Sequence, residues 1–180
     1  MKKLAFFTIG LLLLGLGASA QISRGGKPFS FSYPLNDNLD AGKLVMPLID
    51  VAALQSRARQ VFEKGEMLPA GQIFPVSLSP ENSGVWTVLP NKDRVWRLAV
   101  QVPDAPATSL YYENFYIPEG AVLYVYNAEK THLIGSFGAH NNSESKLFAT
   151  EIIYTSDCVI EYYEPANVKQ KGSFTITGIA

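Results

Sequence analysis

The feature that most constrains the fold is a regular series of short β-prone segments after residue 72. These segments are rich in Val, Ile, Tyr and Phe, which suit a pleated, half-buried surface. Turn clusters such as Pro90-Asn91-Lys92-Asp93 separate them. We predict strands at residues 73–78, 85–89, 94–102, 109–117, 121–127, 133–137, 146–154, 158–164 and 173–177. Because no helices alternate with these strands, the pattern predicts an all-β, antiparallel β-sandwich that is jelly-roll-like.

Two tryptophans lie in the segment PENSGVWTVLPNKDRVWRL, which reads as a hairpin. Side chains alternate along a strand, so Trp96 shares a face with Leu98 and Val100 and is predicted to face the core. The orientation of Trp86 depends on the strand register, which the sequence does not fix. Trp86 is therefore kept as a candidate surface contact.

One amphipathic helix is predicted before the strands, within residues 48–65. Asp50 can accept the free N–H groups of the first turn, and Gly65 is a natural end. The apolar positions recur at helical spacing: Val51, Leu54, Ala58, Val61 and Phe62. The polar positions are predicted to face solvent: Gln55, Arg57, Arg59, Glu63 and Lys64.

The N-terminus has the pattern of a secretory signal peptide. A basic start is followed by an apolar run at residues 4–17 and by Ala18-Ser19-Ala20, which predicts cleavage between Ala20 and Gln21. A membrane anchor is the alternative, but the run is short for a bilayer and the cleavage site follows at once. The expected location is the periplasm or the extracellular space, with no membrane partner after the signal is removed.

The sequence therefore divides into a signal peptide at residues 1–20, an extended arm at 21–47 and a helix-plus-sandwich domain at 48–180. The arm is rich in Gly, Ser, Pro and Asn and shows no helical period. We predict one short strand in it, around residues 29–33. The arm either packs on the domain or hangs free.

Charge and cysteine content exclude several classes of function. Without Lys2 and Lys3 the basic residues fall from 15 to 13 against 16 acidic ones, a net charge of about −3. No basic cluster suited to nucleic acid is present, so no nucleic-acid partner is predicted. The single cysteine, Cys158, cannot form an internal disulfide, and its place in CVIEYY predicts a buried thiol.

Catalytic and metal-binding motifs are missing from the sequence. It has no G-x-S-x-G elbow, no phosphate-binding glycine loop and only two histidines, His132 and His140, which are predicted to be exposed. We therefore predict no catalytic residue, no cofactor and no zinc site. Calcium stays open, because Asp104, Glu113 and Glu119 could supply oxygen ligands. Asn141-Asn142-Ser143 matches a glycosylation sequon, a weak signal.

The aromatic content is the one positive feature, with nine tyrosines and ten phenylalanines. Exposed aromatic rings on a sandwich could stack on sugars or dock another protein. The alternative is that a two-sheet core simply needs large residues facing inward. Both interpretations remain open at this point.

Several longer segments resemble a known family. The run VSLSPENSGVWTVLPNKDRVWRLAV resembles part of the N-terminal prodomain of secreted bacterial serine peptidases of the lysyl endopeptidase type. NFYIPEGAVLYVYNAEKTHLIGSF, HNNSESKLFATEII and VIEYYEP are similar to later prodomain motifs, and LIDVAALQSRAR is similar to the helix before the sandwich. The likeness covers residues 21–180.

The resemblance implies a prodomain that a trypsin-like catalytic domain would follow. The chain ends at SFTITGIA, about where the link to that domain would begin, so no residue of the catalytic triad is carried over. The expectation is a fragment, a truncated product or a stand-alone relative of the prodomain. Its role would be to assist folding, inhibit or target a peptidase domain, in cis or in trans.

Two other functions remain in view. One is a stand-alone module that binds a carbohydrate or a protein at the cell surface, as suggested by an aromatic-rich sandwich without catalytic groups. The other is an enzyme with an unrecognised site, which no motif favours.

Overall fold

Two packed β-sheets form the body of the molecule, in a computed structural model that describes residues 23–35, 38–66 and 71–180. The prediction of an all-β sandwich is confirmed. The predicted signal peptide and its cleavage site at Ala20 and Gln21 lie outside the described residues. The strands are β1 Leu44–Val45, β2 Phe74–Leu78, β3 Val85–Val88, β4 Arg94–Gln101, β5 Leu110–Tyr116, β6 Val122–Asn127, β7 Leu133–Phe137, β8 Phe148–Ala149, β9 Asp157–Glu164 and β10 Ser173–Ile179.

The six-stranded sheet has the order β1-β4-β9-β6-β7, with β3 also paired to β4, and the four-stranded sheet has the order β2-β10-β5-β8. All pairs are antiparallel except β1 with β4, which is parallel. The chain passes back and forth between the sheets, so strands close in sequence often lie on opposite sides of the core.

The main core fills the space between the sheets. Side chains at alternate positions of β4, β5, β9 and β10 meet there, as the period of two along a strand requires. Trp96, Tyr162 and Phe174 pack with their ring edges against neighbouring ring faces. Each of these three side chains is almost fully buried.

The hydroxyl of Tyr112 lies in this core without a hydrogen-bond partner among the described residues. Burial, with a smaller effect of Cys158, raises the pKa of Tyr112 well above its ordinary value. We expect Tyr112→Phe to leave stability unchanged or to raise it by up to about 1 kcal/mol, because an unsatisfied buried hydroxyl is removed.

The matched control for Tyr112→Phe is Tyr126→Phe. The Tyr126 hydroxyl donates to Glu161 at 2.8 Å and lies 3.0 Å from the Ser30 hydroxyl. Its loss should cost about 2 kcal/mol, since the acceptor is a buried carboxylate. Chemical denaturation of both variants measures the difference. A clear loss of stability in Tyr112→Phe would contradict the assignment of an unpaired hydroxyl.

The described part of the N-terminal arm packs on the outer face of the six-stranded sheet. The predicted strand around residues 29–33 is wrong: Phe29–Ser32 form a single helical turn, α1, after Pro28. Tertiary contacts explain the difference. The backbone N–H of Ser30 donates to Glu161 at 3.1 Å, and Phe29 and Phe31 pack on Tyr163 and Tyr126.

A second, smaller apolar cluster lies under the arm. Phe31 and Leu39 cover Ala99, Tyr126 and Val159 on the outer face of the sheet. Residues 23–25 of the arm also pair with the edge of β7: the Gly25 N–H donates to Gly135, and the Ser136 N–H donates back to Gly25. The arm therefore covers one face and one edge of the larger sheet.

The second helix, α2, spans Val51–Glu63 and confirms the predicted helix at both ends. The Asp50 carboxylate accepts from the Ala53 N–H at 2.9 Å. Gly65 adopts a φ of +69°, and the N–H groups of Gly65 and Glu66 bond back to the last turn, as in a Schellman motif. No residue of α2 is buried, and Phe62 is 71% exposed. The sandwich core is filled by strand residues, so α2 contributes little to it.

The predicted strand at residues 146–154 is regular only at β8. Ala149 pairs with Tyr111, whereas Ile153 pairs with Thr108, so the segment contains one residue more than its partner. The hydroxyl of Thr150 accepts from the Leu110 N–H at 3.0 Å in place of a backbone carbonyl. This bulge interrupts the ladder and leaves Glu151 and Ile152 exposed.

Candidate interaction surface

The tryptophan hairpin is part of the core. The strands β3 and β4 pair with Trp86 directly opposite Trp96, so both side chains are on the inner side of the sheet. Trp96 is 0% exposed, and its indole N–H donates to the Ser83 carbonyl at 2.7 Å. Gly84, with a φ of +68°, allows this contact, because a Cβ there would lie 2.6 Å from the Trp96 ring nitrogen. The predicted orientation of Trp96 is confirmed.

Trp86, the candidate surface contact, is half-buried at the edge of the core. Its indole N–H donates to the Pro80 carbonyl at 2.9 Å, and its ring meets Tyr162 edge-on. The Arg94 guanidinium carbon lies 4.1 Å from the Trp86 ring centroid, a cation–π contact. Most of the ring is therefore occupied by the protein's own groups.

A buried carboxylate, Glu164, lies beside this hairpin. It accepts from Arg94 Nε at 2.8 Å and from Arg94 Nη2, and it also accepts from the Tyr162 hydroxyl and the Gly172 N–H, each at 2.8 Å. Arg94 and Glu164 are also opposite each other in the β4–β9 register. Since every lone pair direction of this carboxylate faces a donor, the cluster stabilises the sheet and offers no reactive group.

A second buried carboxylate, Glu161, lies under the arm. Ser30 donates to it with both its backbone N–H and its hydroxyl, and Tyr126 donates a further hydrogen bond. Glu161 is 0% exposed and faces Arg97 across the β4–β9 ladder. A serine beside a carboxylate resembles part of a catalytic unit, but this one is sealed from solvent. It attaches the arm to the sheet.

The histidines and the candidate calcium ligands are separate from one another. His132 is half-buried rather than exposed: its Nδ1 accepts from the Tyr154 N–H at 3.2 Å, and the two rings stack. His140 is exposed, as predicted. Among the described residues, no group of three or more His, Cys, Asp or Glu side chains is placed to hold a metal, so Asp104, Glu113 and Glu119 are not brought together there.

Cys158 is buried in the core, which confirms the prediction. Burial, followed by the charge of Asp157, raises the pKa of this thiol to about 12. We expect Cys158 to react with a thiol reagent at pH 8 only as fast as the protein unfolds, because the thiolate is the nucleophile. Rapid labelling of the native protein would contradict this placement.

The raised pKa of Cys158 also makes the stability of the protein decrease at alkaline pH. A pKa raised in the folded state favours the neutral thiol, so its contribution is complete below about pH 9 and is lost as the pH approaches about 12. Tyr163 acts in the same direction, because burial and its hydrogen bond to Asp93 raise its pKa to about 12. Denaturation midpoints between pH 8 and pH 11.5 should fall more steeply in the wild type than in Cys158→Ala.

One sheet surface is left without cover by the described residues. We call the outer side of the four-stranded sheet the open face. A row runs across it through Pro75 on β2, Gly178 on β10, Tyr111 on β5 and Ala149 on β8. Its large exposed apolar side chains are Ile73, Tyr111 and Leu147. An apolar, solvent-facing sheet of this kind is a candidate contact surface.

A shallow cleft of about 350 Å³ lies on the open face, lined by Tyr111, Glu113, Leu147 and Thr177. Tyr111 is 40% exposed and forms one side of the cleft. Glu113 lies two residues further along β5, so its carboxylate is on the same side of the sheet. The sequence pointed to Glu113 only as a possible calcium ligand and did not indicate its position beside Tyr111 and Leu147.

Comparison with known proteins adds little. No protein-family model matches the sequence. Among solved structures, the isomalto-dextranase of Arthrobacter globiformis T6, complexed with panose, is 14% identical and aligns over 54% of this chain and 18% of that chain, with a TM-score of 0.23. A TM-score this low carries no argument about fold or function. Within the described part of this chain, no helix has the length and hydrophobicity needed to cross a membrane.

Proposed function

We propose that this chain is an exported, non-catalytic β-sandwich that binds a trypsin-like serine peptidase domain, as a prodomain does. It would assist the folding of that domain or hold it inactive. The proposal rests on the resemblance of several spaced segments to prodomains of the lysyl endopeptidase type. One observation carries it further: three of those segments contain strands that are neighbours in the six-stranded sheet.

Three of the prodomain-like segments contain β3 and β4, β6 and β7, and β9, which are neighbours in the six-stranded sheet. Residues 76–78 of the first segment and the segment at 140–153 contribute to β2 and β8 of the four-stranded sheet. Within them, Gly84 makes room for Trp96, and Arg94 pairs with Glu164. These motif residues therefore have structural roles in this chain. Segments that form neighbouring strands of one sheet and also contribute to the other support a likeness of the whole domain, which short unconnected matches would not.

The open face supports a binding role. The six-stranded sheet is covered on its outer side by the arm, whereas the four-stranded sheet exposes Tyr111 and its apolar neighbours. Trp86 was the candidate surface ring in this aromatic-rich sandwich, but its ring is in contact with Arg94 and Tyr162. We therefore favour a protein partner over a glycan.

Refolding of a peptidase domain tests the proposal. A denatured catalytic domain of a lysyl-endopeptidase-type peptidase is diluted with and without the chain lacking residues 1–20. We expect the folded chain to raise the yield of active peptidase severalfold. The control is an equal amount of the Trp96→Ala chain, which is expected to be largely unfolded. Equal yields with and without the wild-type chain would contradict the proposal.

A further inference from the structure

We propose that the open face is the surface that receives the partner peptidase, and that Glu113 there accepts a lysine or arginine side chain of that partner. This inference rests on the proposed function and gives it a location. It follows from the shape of the apolar strip described below and from the unpaired carboxylate of Glu113 beside that strip. It follows also from the arm, which covers the outer face of the six-stranded sheet.

The apolar strip is continuous because Gly178 has no side chain. A Cβ at Gly178 would lie 3.2 Å from Ile73 Cγ2 and 3.3 Å from Tyr111 Cδ2. The glycine therefore allows the Ile73 and Tyr111 side chains to approach each other over the β10 backbone. On the other side of Tyr111 the strip continues to Ala149 and Leu147. A strip that runs across all four strands of this sheet suits a folded partner surface.

The charge on the strip indicates what the partner presents. The Glu113 side chain is exposed, and its carboxylate has no hydrogen-bond or ion-pair partner among the described residues. Tyr111 and Leu147 flank it in the cleft. A lysine or arginine side chain matches this arrangement: its apolar stem packs along Tyr111 and Leu147, and its cation reaches the carboxylate. The complement of Glu113 is thus a cation carried on an apolar stem.

Other surfaces of the sandwich are less suited to this role. The arm covers the outer face of the six-stranded sheet and pairs with the edge of β7. On the β2 edge, Pro75 has no N–H to donate, and the Asn82 side chain bonds the backbone of Ser77 and Ser79. These features hinder strand addition at the β7 and β2 edges, whereas a partner can engage the open face through side chains.

The strip also favours a protein over a sugar. Ile73 and Leu147 are branched aliphatic residues, which do not provide the flat surface on which sugar rings stack. Tyr111 is the single exposed aromatic ring that the cleft contributes. A single exposed ring with aliphatic neighbours is typical of a protein–protein contact, in which a central aromatic residue is surrounded by groups that exclude water.

Inhibition of the mature peptidase by the chain tests the inference. The probe is the active catalytic domain of a lysyl-endopeptidase-type peptidase, titrated with the chain lacking residues 1–20. We expect Glu113→Lys to raise the inhibition constant about 100-fold through charge repulsion, and Tyr111→Ala to raise it about 30-fold. Glu113→Gln should give a smaller rise, of about 10-fold.

The matched controls are Phe62→Ala and Glu63→Lys on the exposed helix α2, which should change the inhibition constant less than twofold. Melting curves check that each variant is folded. Because Glu113 is exposed, its variants should fold, and they keep the test valid if Tyr111→Ala does not fold. Strong inhibition by the wild type with no effect of the Glu113 and Tyr111 variants would overturn the inference alone. Loss of inhibition only in the α2 variants would also overturn it.

If the wild-type chain neither inhibits the peptidase nor aids its refolding, the proposed function and this inference are overturned together. Binding of a soluble glucan that Tyr111→Ala abolishes, in a chain without effect on the peptidase, would assign the cleft to carbohydrate instead. These outcomes show separately whether the contact is on the open face and whether the partner is a peptidase.

Discussion

Replacing Trp96 with alanine is expected to lower the free energy of unfolding by about 4 kcal/mol, enough to unfold much of the protein. Trp96 is fully buried, packs edge-on against Phe174 and donates to the Ser83 carbonyl. Its removal leaves a large cavity between the sheets and an unpaired carbonyl. Urea denaturation followed by circular dichroism measures the effect.

The matched comparison for Trp96→Ala is Trp86→Ala, at the position directly opposite in the β3–β4 pair. Trp86 is half-buried on a short edge strand, so its loss should cost about 2 kcal/mol, roughly half as much. Val88→Ala, at a side chain that is 71% exposed, should have almost no effect. Equal losses in the two tryptophan variants would contradict the different burial of the two rings.

Replacing Arg94 with methionine is expected to cost about 3 kcal/mol. Methionine retains much of the apolar stem but leaves the Glu164 carboxylate buried with only neutral donors, Tyr162 and Gly172. Removing one partner of a buried ion pair is costly because the remaining charge is uncompensated. The Trp86 ring also loses its cation.

Two further variants separate charge from packing at this cluster. The double variant that combines Arg94→Met with Glu164→Gln has no buried charge at this position. It should therefore recover part of the stability that Arg94→Met loses. Arg59→Met, on the exposed surface of α2, controls for the loss of an arginine and should stay within about 0.5 kcal/mol of the wild type. A double variant no more stable than Arg94→Met would show that the uncompensated charge is not the cause.

Local patterns in the sequence predicted much of the fold. Strand alternation gave most strand positions and the inward orientation of Trp96, and Asp50 and Gly65 predicted both ends of α2. These signals act through neighbouring residues, so they can be read without knowledge of the tertiary structure. The buried thiol of Cys158 followed from the same alternation in β9.

The features that the sequence did not reveal depend on distant contacts. Phe29–Ser32 form a helical turn because Ser30 bonds Glu161, 131 residues away. The strand at residues 146–154 is interrupted because the Thr150 side chain replaces a backbone acceptor. The strip through Ile73, Gly178 and Tyr111 combines three strands, so no single segment of the sequence indicates it.

Hydroxyl-radical footprinting of the chain, free and bound to the peptidase domain, tests the central claim most directly. It measures the solvent exposure of individual tyrosine and leucine side chains. We expect the oxidation of Tyr111 and Leu147 to fall severalfold on binding, while Tyr33, which is 60% exposed in the arm, is unchanged. Protection of Tyr33 with unchanged Tyr111 and Leu147, or no protection at saturating peptidase, would contradict the account.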